Sequence, residues 1–164
     1  MKKTIAIIGC GNLGTAIVKG ILAKSADQFQ IIATRQRVEL LDPLRTIGAH
    51  TTNDNVEAVT KADIVLLAVK PYLVASVLEE IKGSLDAGKV IVSLATGISI
   101  ETIQSIIGDE IPVLRAMPNT ATGVGESLTC ICANDKVSSA KLGDIVPLFE
   151  LIGEVIVIRE DLMD

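Results

Sequence analysis

The sequence predicts a doubly wound α/β domain, with a mostly parallel sheet and helices on both faces. Short apolar runs alternate with apolar residues at helical spacing along most of the 164-residue chain. The runs consist mainly of Ile, Val, Leu and Ala, which suit strands that are buried on both faces. A glycine-rich turn also joins the first strand to the first helix. Together these observations predict repeated strand–helix–strand units, which form a parallel sheet.

The predicted elements follow from the spacing of the apolar residues. Apolar runs predict strands at 5–8, 30–33, 49–52, 64–68, 90–93, 113–115, 127–132 and 155–158. Apolar residues three or four positions apart predict helices at 13–21, 37–46, 56–61, 73–81, 100–107 and 142–152. Pro43 should shorten or kink the second of these helices, and Pro147 should cost about 3 kcal/mol unless the last one kinks. Because the pattern fills the chain to residue 158, we expect one domain over residues 1–158.

Composition and charge exclude several classes of function. The formal net charge is −5, and no long basic run or aromatic-plus-basic stripe occurs, which argues against nucleic-acid binding. The apolar run 5–8 is too short for a secretory signal, and no apolar stretch of about 18 residues occurs, so we expect a cytoplasmic protein without membrane contact. Cys10, Cys130 and Cys132 contain no C-x-x-C pair, so we expect neither a disulfide nor a metal site. We interpret them as small buried hydrophobic residues.

The first turn carries the pattern G-x-G-x-x-G, in Gly9-Cys10-Gly11-Asn12-Leu13-Gly14. Gly9 permits the tight turn, Gly11 lets the backbone approach a pyrophosphate, and Gly14 lets the helix pack against the strand. The N–H groups that open the helix then face the anion. An ordinary glycine-rich turn is the alternative, but a strand before it and a helix after it favour a dinucleotide-binding Rossmann domain.

The end of the second strand predicts which dinucleotide binds. NAD-selective domains usually place an acid about 20 residues beyond the glycines, where it binds the ribose 2′-hydroxyl. Here that position is Thr34, followed by Arg35-Gln36-Arg37. A hydroxyl and two guanidinium groups suit a 2′-phosphate, so we expect NADPH rather than NADH. The alternative is that both arginines are solvated and either nucleotide is used.

Three further loops should meet the same edge of the sheet. They read Ala68-Val69-Lys70-Pro71, Ala95-Thr96-Gly97-Ile98 and Met117-Pro118-Asn119-Thr120. Ligands bind at this edge in doubly wound folds, although plain turns, and for Lys70 a surface lysine, are the alternatives. The motif loops contain neither a Ser-His-Asp set nor paired carboxylates, and we assign no role to His50, the only histidine. The catalytic residues therefore stay unknown.

These motifs, in this order and spacing and together with Val124-Gly125-Glu126, resemble pyrroline-5-carboxylate reductase from about residue 4 to residue 164. That family reduces 1-pyrroline-5-carboxylate to L-proline with NADPH, in the last step of proline biosynthesis. The resemblance implies cofactor contacts along the loops. The implied contacts are Ile8, Gly9, Cys10, Gly11, Asn12, Leu13 and Gly14 at the pyrophosphate, Thr34, Arg35 and Asn55 at the adenosine, Ala68, Val69, Lys70 and Pro71 along the cofactor, Ala95 and Thr96 near the nicotinamide, and Met117 to Thr120 at the reaction space.

The chain departs from the family pattern in three places. Thr96 stands where an alanine is common, and Ser127 stands where a glycine is common. In the family, a helical C-terminal domain also follows, and it supplies the oligomer interface and most substrate contacts. Residues 159–164 would begin that domain. The resemblance therefore implies that this chain is the cofactor-binding half, acting on a small imine and joining a homo-oligomer through the other domain.

Two other functions fit the sequence. Small NADP-dependent oxidoreductases that use a deazaflavin cofactor have the same fold and need no substrate domain. A nucleotide-binding module without activity of its own is also consistent with the motifs.

Overall fold

The computed structural model describes residues 2–119 and 127–163. Its strands are β1 Lys3–Ile8, β2 Phe29–Thr34, β3 His50–Thr52, β4 Ile64–Leu67, β5 Val90–Ser93, β6 Val113–Pro118, β7 Ser127–Ala133 and β8 Gly153–Val157. Its α-helices are α1 Asn12–Ser25, α2 Asp42–Thr46, α3 Asn55–Lys61, α4 Val74–Ile81, α5 Ile100–Ile107 and α6 Ser139–Glu150. Short 3₁₀ turns occur at Val38–Leu41, Pro71–Leu73, Lys82–Ser84 and Glu160–Leu162.

The strands form one eight-stranded sheet in the order β3-β2-β1-β4-β5-β6-β7-β8. Strands β1 to β6 are parallel, β7 is antiparallel to β6, and β8 is parallel to β7. The first six strands have the order of a dinucleotide-binding fold, with the switch point between β1 and β4. The predicted doubly wound, mostly parallel sheet is therefore confirmed. The predicted Thr120 and Val124-Gly125-Glu126 lie outside the described residues.

Side chains of β1 alternate between two hydrophobic layers, one on each face of the sheet. Ile5 and Ile7 pack in a cluster with residues of α1, α2 and α6. Ala6 and Ile8 pack in a second cluster with residues of α3, α4 and α5. All four are fully buried, and each fully buried Ile contributes about 1.5–3 kcal/mol. The aliphatic composition thus gives a central strand with no polar face, as expected of a parallel sheet.

Pro43 and Pro147 lie in different parts of their helices. The predicted helix 37–46 is wrong as a single element, because the 3₁₀ turn Val38–Leu41 precedes α2 and Pro43 lies in the first turn of that helix. Proline is tolerated there because the first helical N–H groups have no partner within the helix. Pro147 lies inside α6 but is exposed, so solvent can satisfy the backbone carbonyl that loses its N–H partner.

The segment after β8 returns to the sheet. Glu160 accepts hydrogen bonds from Nη1 of the buried Arg115 on β6 at 3.2 Å and from the backbone N–H of Ile100 at 2.7 Å. Ile100 is the first residue of α5, so the carboxylate also occupies the favourable N-terminal end of that helix. Met163 is buried in the same layer as α3, α4 and α5. Residues 160–163 therefore join β6, α5 and the core.

The described residues also bear on membranes, metals and thiols. Within residues 2–119 and 127–163, no helix is long and apolar enough to cross a membrane. The same residues contain no group of three or more His, Cys, Asp or Glu side chains arranged to hold a metal ion. Cys10 and Cys132 are buried and Cys130 is half-buried, and all three are free thiols. Cys130 and Cys132 are two positions apart on β7 and pack toward the same layer.

Candidate dinucleotide-binding site

A cavity of about 970 Å³ lies at the carboxyl edge of the sheet, beside the switch point. Its size is at the upper end of the range for ligand sites, about 300–1,000 Å³. Its lining comes from the ends of β1, β2, β4 and β5, from the starts of α1 and α3, and from one face of the helical segment 71–81. The lining residues are Gly9, Gly11, Asn12, Leu13, Thr34, Arg35, Gln36, Asn53, Asn55, Ala68, Val69, Lys70, Pro71, Leu73, Ser76, Glu80, Leu94 and Thr96.

The turn after β1 requires glycine for two separate reasons. Gly9 has φ +74°, a conformation that L side chains rarely adopt. A Cβ on Gly9 would also overlap Cγ1 of Val69, from the loop after β4. A Cβ on Gly14 would lie 3.1 Å from Sγ of Cys10 and 3.2 Å from Cγ2 of Ile7. Both glycines therefore allow parts of the fold to approach closely.

Gly11 has a different role, because the space beside it is open. A Cβ there would have only the carbonyl oxygen of Gly9 nearby, at 3.9 Å, and Gly11 itself lines the cavity. It is also the residue before α1, where no side chain caps the helix and the first turn contains no acid. A phosphate can therefore reach the backbone N–H groups of this helix end without displacing a side chain. The turn fits a dinucleotide pyrophosphate.

Thr34 joins this turn to the far end of the cavity. Its side chain is 1% exposed. The Thr34 hydroxyl accepts a hydrogen bond from the Gly9 N–H at 3.2 Å and donates one to Oδ1 of Asn55 at 2.6 Å. Nδ2 of Asn55 then donates to Oε2 of Glu80 on α4 at 3.2 Å. The hydroxyl proton is thus committed to Asn55, and Thr34 holds the turn in place rather than presenting a donor to a phosphate.

Only one of the two predicted guanidinium groups reaches the cavity. Arg35 is half-buried and lines it. Arg37 points elsewhere and forms an exposed ion pair with Glu39, with an Nε–Oε1 distance of 3.2 Å. Of the Thr34 hydroxyl and two guanidinium groups that were expected to serve a 2′-phosphate, Arg35 alone is placed to do so, and its contact with a phosphate stays a prediction. Lys70 is exposed and adds a second cation on the other side of the switch point.

Most of the predicted cofactor contacts meet in this one cavity. Those that line it are Gly9, Gly11, Asn12, Leu13, Thr34, Arg35, Asn55, Ala68, Val69, Lys70, Pro71 and Thr96. Those outside its lining are Ile8, Cys10, Gly14, Ala95, Met117 and Asn119. Lining the cavity brings the first twelve together, and contact with a nucleotide stays a prediction for all eighteen.

The residues outside the lining differ in their surroundings. The side chain of Cys10 packs in the hydrophobic layer of α1 and α6, and burial raises the pKa of its thiol. Ala95 is also buried, whereas Met117 is half-buried at the end of β6 and Asn119 is exposed just beyond it. The thiol of Cys10 is therefore a packing group, although its residue belongs to the glycine motif.

Six lining residues were not expected from the sequence: Gln36, Asn53, Leu73, Ser76, Glu80 and Leu94. Leu73, Ser76 and Glu80 are three and four positions apart, which places them on one face of the helical segment 71–81. Such spacing is a visible signal, because a helix that follows a ligand-binding loop presents one polar face to the same edge. The sequence alone does not show that this face closes the cavity.

Comparison with known proteins identifies the family. The family model described as "NADP oxidoreductase coenzyme F420-dependent" matches residues 4–97, which include β1 to β5 and most of the cavity lining. The chain belongs to this family.

Curated relatives are pyrroline-5-carboxylate reductases. The chain is 36% identical to the enzyme of Corynebacterium melassecola over 98% of its own length and 61% of the relative. It is 31% identical to that of Escherichia coli K12 over 99% of its length and 61% of the relative. Pyrroline-5-carboxylate reductase 1 of Dictyostelium discoideum is 35% identical over 96% of this chain and 31% of the relative. The chain thus spans at most about three fifths of these relatives.

Solved structures agree with this relationship. The pyrroline-5-carboxylate reductase of Coxiella burnetii superposes with a TM-score of 0.94 at 33% identity, over 99% of this chain and 62% of that one. The Plasmodium falciparum enzyme, solved with NADP bound, superposes with a TM-score of 0.85 at 27% identity, over 96% of this chain and 58% of that one. The chain therefore shares the fold of the matched part of these reductases, which is about three fifths of each.

Proposed function

We propose that this chain is the NADPH-binding half of a pyrroline-5-carboxylate reductase, which reduces the C=N bond of 1-pyrroline-5-carboxylate to give L-proline in proline biosynthesis. The observation that carries the proposal is the similarity of nearly the whole chain to reductases of that name, at 31–36% identity. The shape of the cavity supports the proposal. From the glycine turn, one arm extends over the ends of β2 and α3 and the other over the ends of β4 and β5, on either side of the switch point.

The preference for NADPH rests on the residue after β2. Arg35 lines the cavity there, and the position that an acid occupies in NAD-selective domains is Thr34. A guanidinium pairs with a phosphate through its charge and its forked N–H groups. A ribose 2′-phosphate is therefore bound more favourably than a 2′-hydroxyl, and NADH is the weaker ligand.

The protein contributes position and exclusion of water. Bound NADPH supplies the hydride, and a protonated imine is already electrophilic, so little further acid catalysis is needed. Ala68, Val69 and Leu94 give the inner wall of the arm over β4 and β5 an apolar character, while Lys70 and Thr96 border its outer part. This arm holds the nicotinamide, and the ends of β5 and β6 border the space for the imine. The substrate contacts come from elsewhere in the assembled enzyme.

The remaining features of the proposal concern organisation. The dinucleotide-binding domain comprises the expected residues 1–158 together with the segment 160–163, which packs on β6, α5 and the core. A helical C-terminal domain supplies the substrate contacts and the homo-oligomer interface. The protein acts in the cytoplasm on a small molecule.

The test combines NADPH binding with NADPH oxidation in the presence of 1-pyrroline-5-carboxylate. We expect the 164-residue chain to bind NADPH, seen as a change in nicotinamide fluorescence, and to turn over slowly or not at all. We expect the same chain joined to the C-terminal region of a relative to turn over. Absence of NADPH binding, or a joined protein that folds and binds NADPH but does not oxidise it with this substrate, would contradict the proposal.

A second candidate is an oxidoreductase that passes hydride between NADPH and a deazaflavin. The description of the matching family names coenzyme F420, which is the observation in its favour. Titration of a deazaflavin with the chain and NADPH distinguishes the two functions. Quenching of deazaflavin fluorescence together with NADPH-dependent reduction would favour this candidate over the imine reductase.

A further inference from the structure

One end of the cavity is rich in hydrogen-bond acceptors contributed by α4. We propose that Glu80 is a specificity residue that accepts a hydrogen bond from the 6-amino group of the bound adenine. This inference rests on the proposed binding of NADPH. It assigns a chemical reason for choosing an adenine nucleotide over one with another purine.

The position of Glu80 follows from the strand order. The ribose of the adenosine lies at the end of β2 in dinucleotide-binding folds, and the ring that carries the hydride lies across the switch point. Thr34 ends β2, Asn55 is bonded to Thr34, and Glu80 is bonded to Asn55. Glu80 therefore lies beyond the ribose position, on the adenosine side of the cavity that it lines.

The hydrogen bonds at this end leave acceptors toward the cavity. Oε2 of Glu80 accepts from Asn55, and an ionised carboxylate can accept further bonds at both oxygens. The hydroxyl of Ser76, one helical turn earlier, donates to the carbonyl of Leu73 at 3.0 Å and so presents lone pairs. Among the residues that the structure describes, no Lys or Arg pairs with Glu80, whereas its neighbour Glu79 pairs with Lys82 at 2.5 Å.

A carboxylate at this end of the cavity distinguishes purines by the substituent at position 6 of the ring. Adenine carries an amino group there, which donates to a carboxylate. Hypoxanthine carries an oxygen at the same position, which would face the carboxylate as a second acceptor. The two bases have nearly the same size and stacking surface but also differ at N1, which carries a proton only in hypoxanthine. The variants therefore assign the difference in affinity to the contact with Glu80.

The experiment compares NADPH with its reduced hypoxanthine analogue, nicotinamide hypoxanthine dinucleotide phosphate. Both carry the same fluorescent ring, phosphates and ribose groups, so both titrate by the same signal. Wild type, Glu80→Gln and the control Glu79→Gln are compared. The control removes one carboxylate from the same helix, at an exposed residue outside the cavity lining. Thermal melting of each variant without nucleotide confirms folding.

We expect wild type and Glu79→Gln to bind NADPH about tenfold more tightly than the analogue, since one charge-assisted hydrogen bond is at stake. In Glu80→Gln the ratio should fall to within about twofold of unity, because an amide can donate to the oxygen as well as accept from the amine. Equal affinities in wild type, or an unchanged ratio in Glu80→Gln, would overturn the proposal while NADPH binding still supports the proposed function. If wild type binds neither nucleotide, both proposals fail.

Discussion

The hydroxyl of Thr34 bridges the N–H of Gly9 and the side-chain oxygen of Asn55, at 3.2 Å and 2.6 Å. The bridge links the turn after β1 to the first residue of α3, and it is almost fully shielded from solvent. A buried donor or acceptor that loses its partner costs more than the hydrogen bond itself contributed. Thr34 therefore holds the glycine turn and the start of α3 in place.

Replacement of Thr34 by Val should lower the free energy of unfolding by about 1–3 kcal/mol, because Gly9 and Asn55 each lose a partner at nearly constant volume. NADPH affinity should fall as well, since the turn is less well fixed. Thr34→Ser keeps the hydroxyl and serves as the control. Urea denaturation and NADPH titration measure the two effects. Equal stability of the Val and Ser variants would show that the bridge contributes little.

Arg35 should set the preference for NADPH over NADH. Arg35→Gln removes the cavity guanidinium, and we expect NADPH affinity to fall about 10- to 100-fold while NADH affinity changes little. Arg37→Gln is the matched control, because Arg37 is two residues away and paired with Glu39 outside the cavity. Titration of each variant with both nucleotides gives the ratio. A larger loss of preference in Arg37→Gln than in Arg35→Gln would contradict the placement of the 2′-phosphate.

Gly9 and Gly11 should fail in different ways when each is changed to Ala. Gly9→Ala forces a side chain into a positive φ and against Val69, so we expect a loss of about 1–3 kcal/mol or more in unfolding free energy. Gly11→Ala has space for its methyl group and should unfold within about 0.5 kcal/mol of wild type. Its methyl group enters the cavity, however, and should weaken NADPH binding strongly. Normal NADPH affinity in a folded Gly11→Ala protein would exclude the proposed pyrophosphate position.

Glu160 should stabilise the domain through β6 and α5. Glu160→Gln weakens its contact with the 1%-exposed Arg115 and removes a charge from the α5 N-terminus, so we expect a loss of about 1–3 kcal/mol. Asp161→Asn is the control, because Asp161 pairs with Arg159 and both side chains are largely exposed. That variant should stay within about 0.5 kcal/mol of wild type. Denaturant titration compares them, and equal losses would argue against the contact with Arg115.

The parts of the fold that the sequence predicts are those governed by local chemistry. The glycine turn, the buried strands and the absence of an acid at the end of β2 each depend on residues close in the chain. The direction of β7 was not predictable in this way, since an apolar run has the same pattern whether it pairs parallel or antiparallel. Glu39 is only two residues from Arg37 in the sequence, and its ion pair with Arg37 leaves Arg35 as the arginine that lines the cavity.

The part of the site that sequence reasoning missed depends on distant contacts. Asn55 and Glu80 are 25 residues apart, and only the packing of α3 beside α4 brings them together. On the sequence, Glu79 and Glu80 are two adjacent acids in an amphipathic helix. Their roles separate only in three dimensions, where one faces Lys82 and the other faces the cavity.

The close packing of Gly9 against Val69 couples the two loops that border the switch point. A methyl group from the loop after β4 fills the space that a side chain at residue 9 would need. The loops after β1 and β4 therefore pack directly against each other, so neither loop can shift without displacing the other. Under the proposed function, the two halves of NADPH would therefore contact loops that pack directly on each other, and displacement of either loop would be felt at both halves.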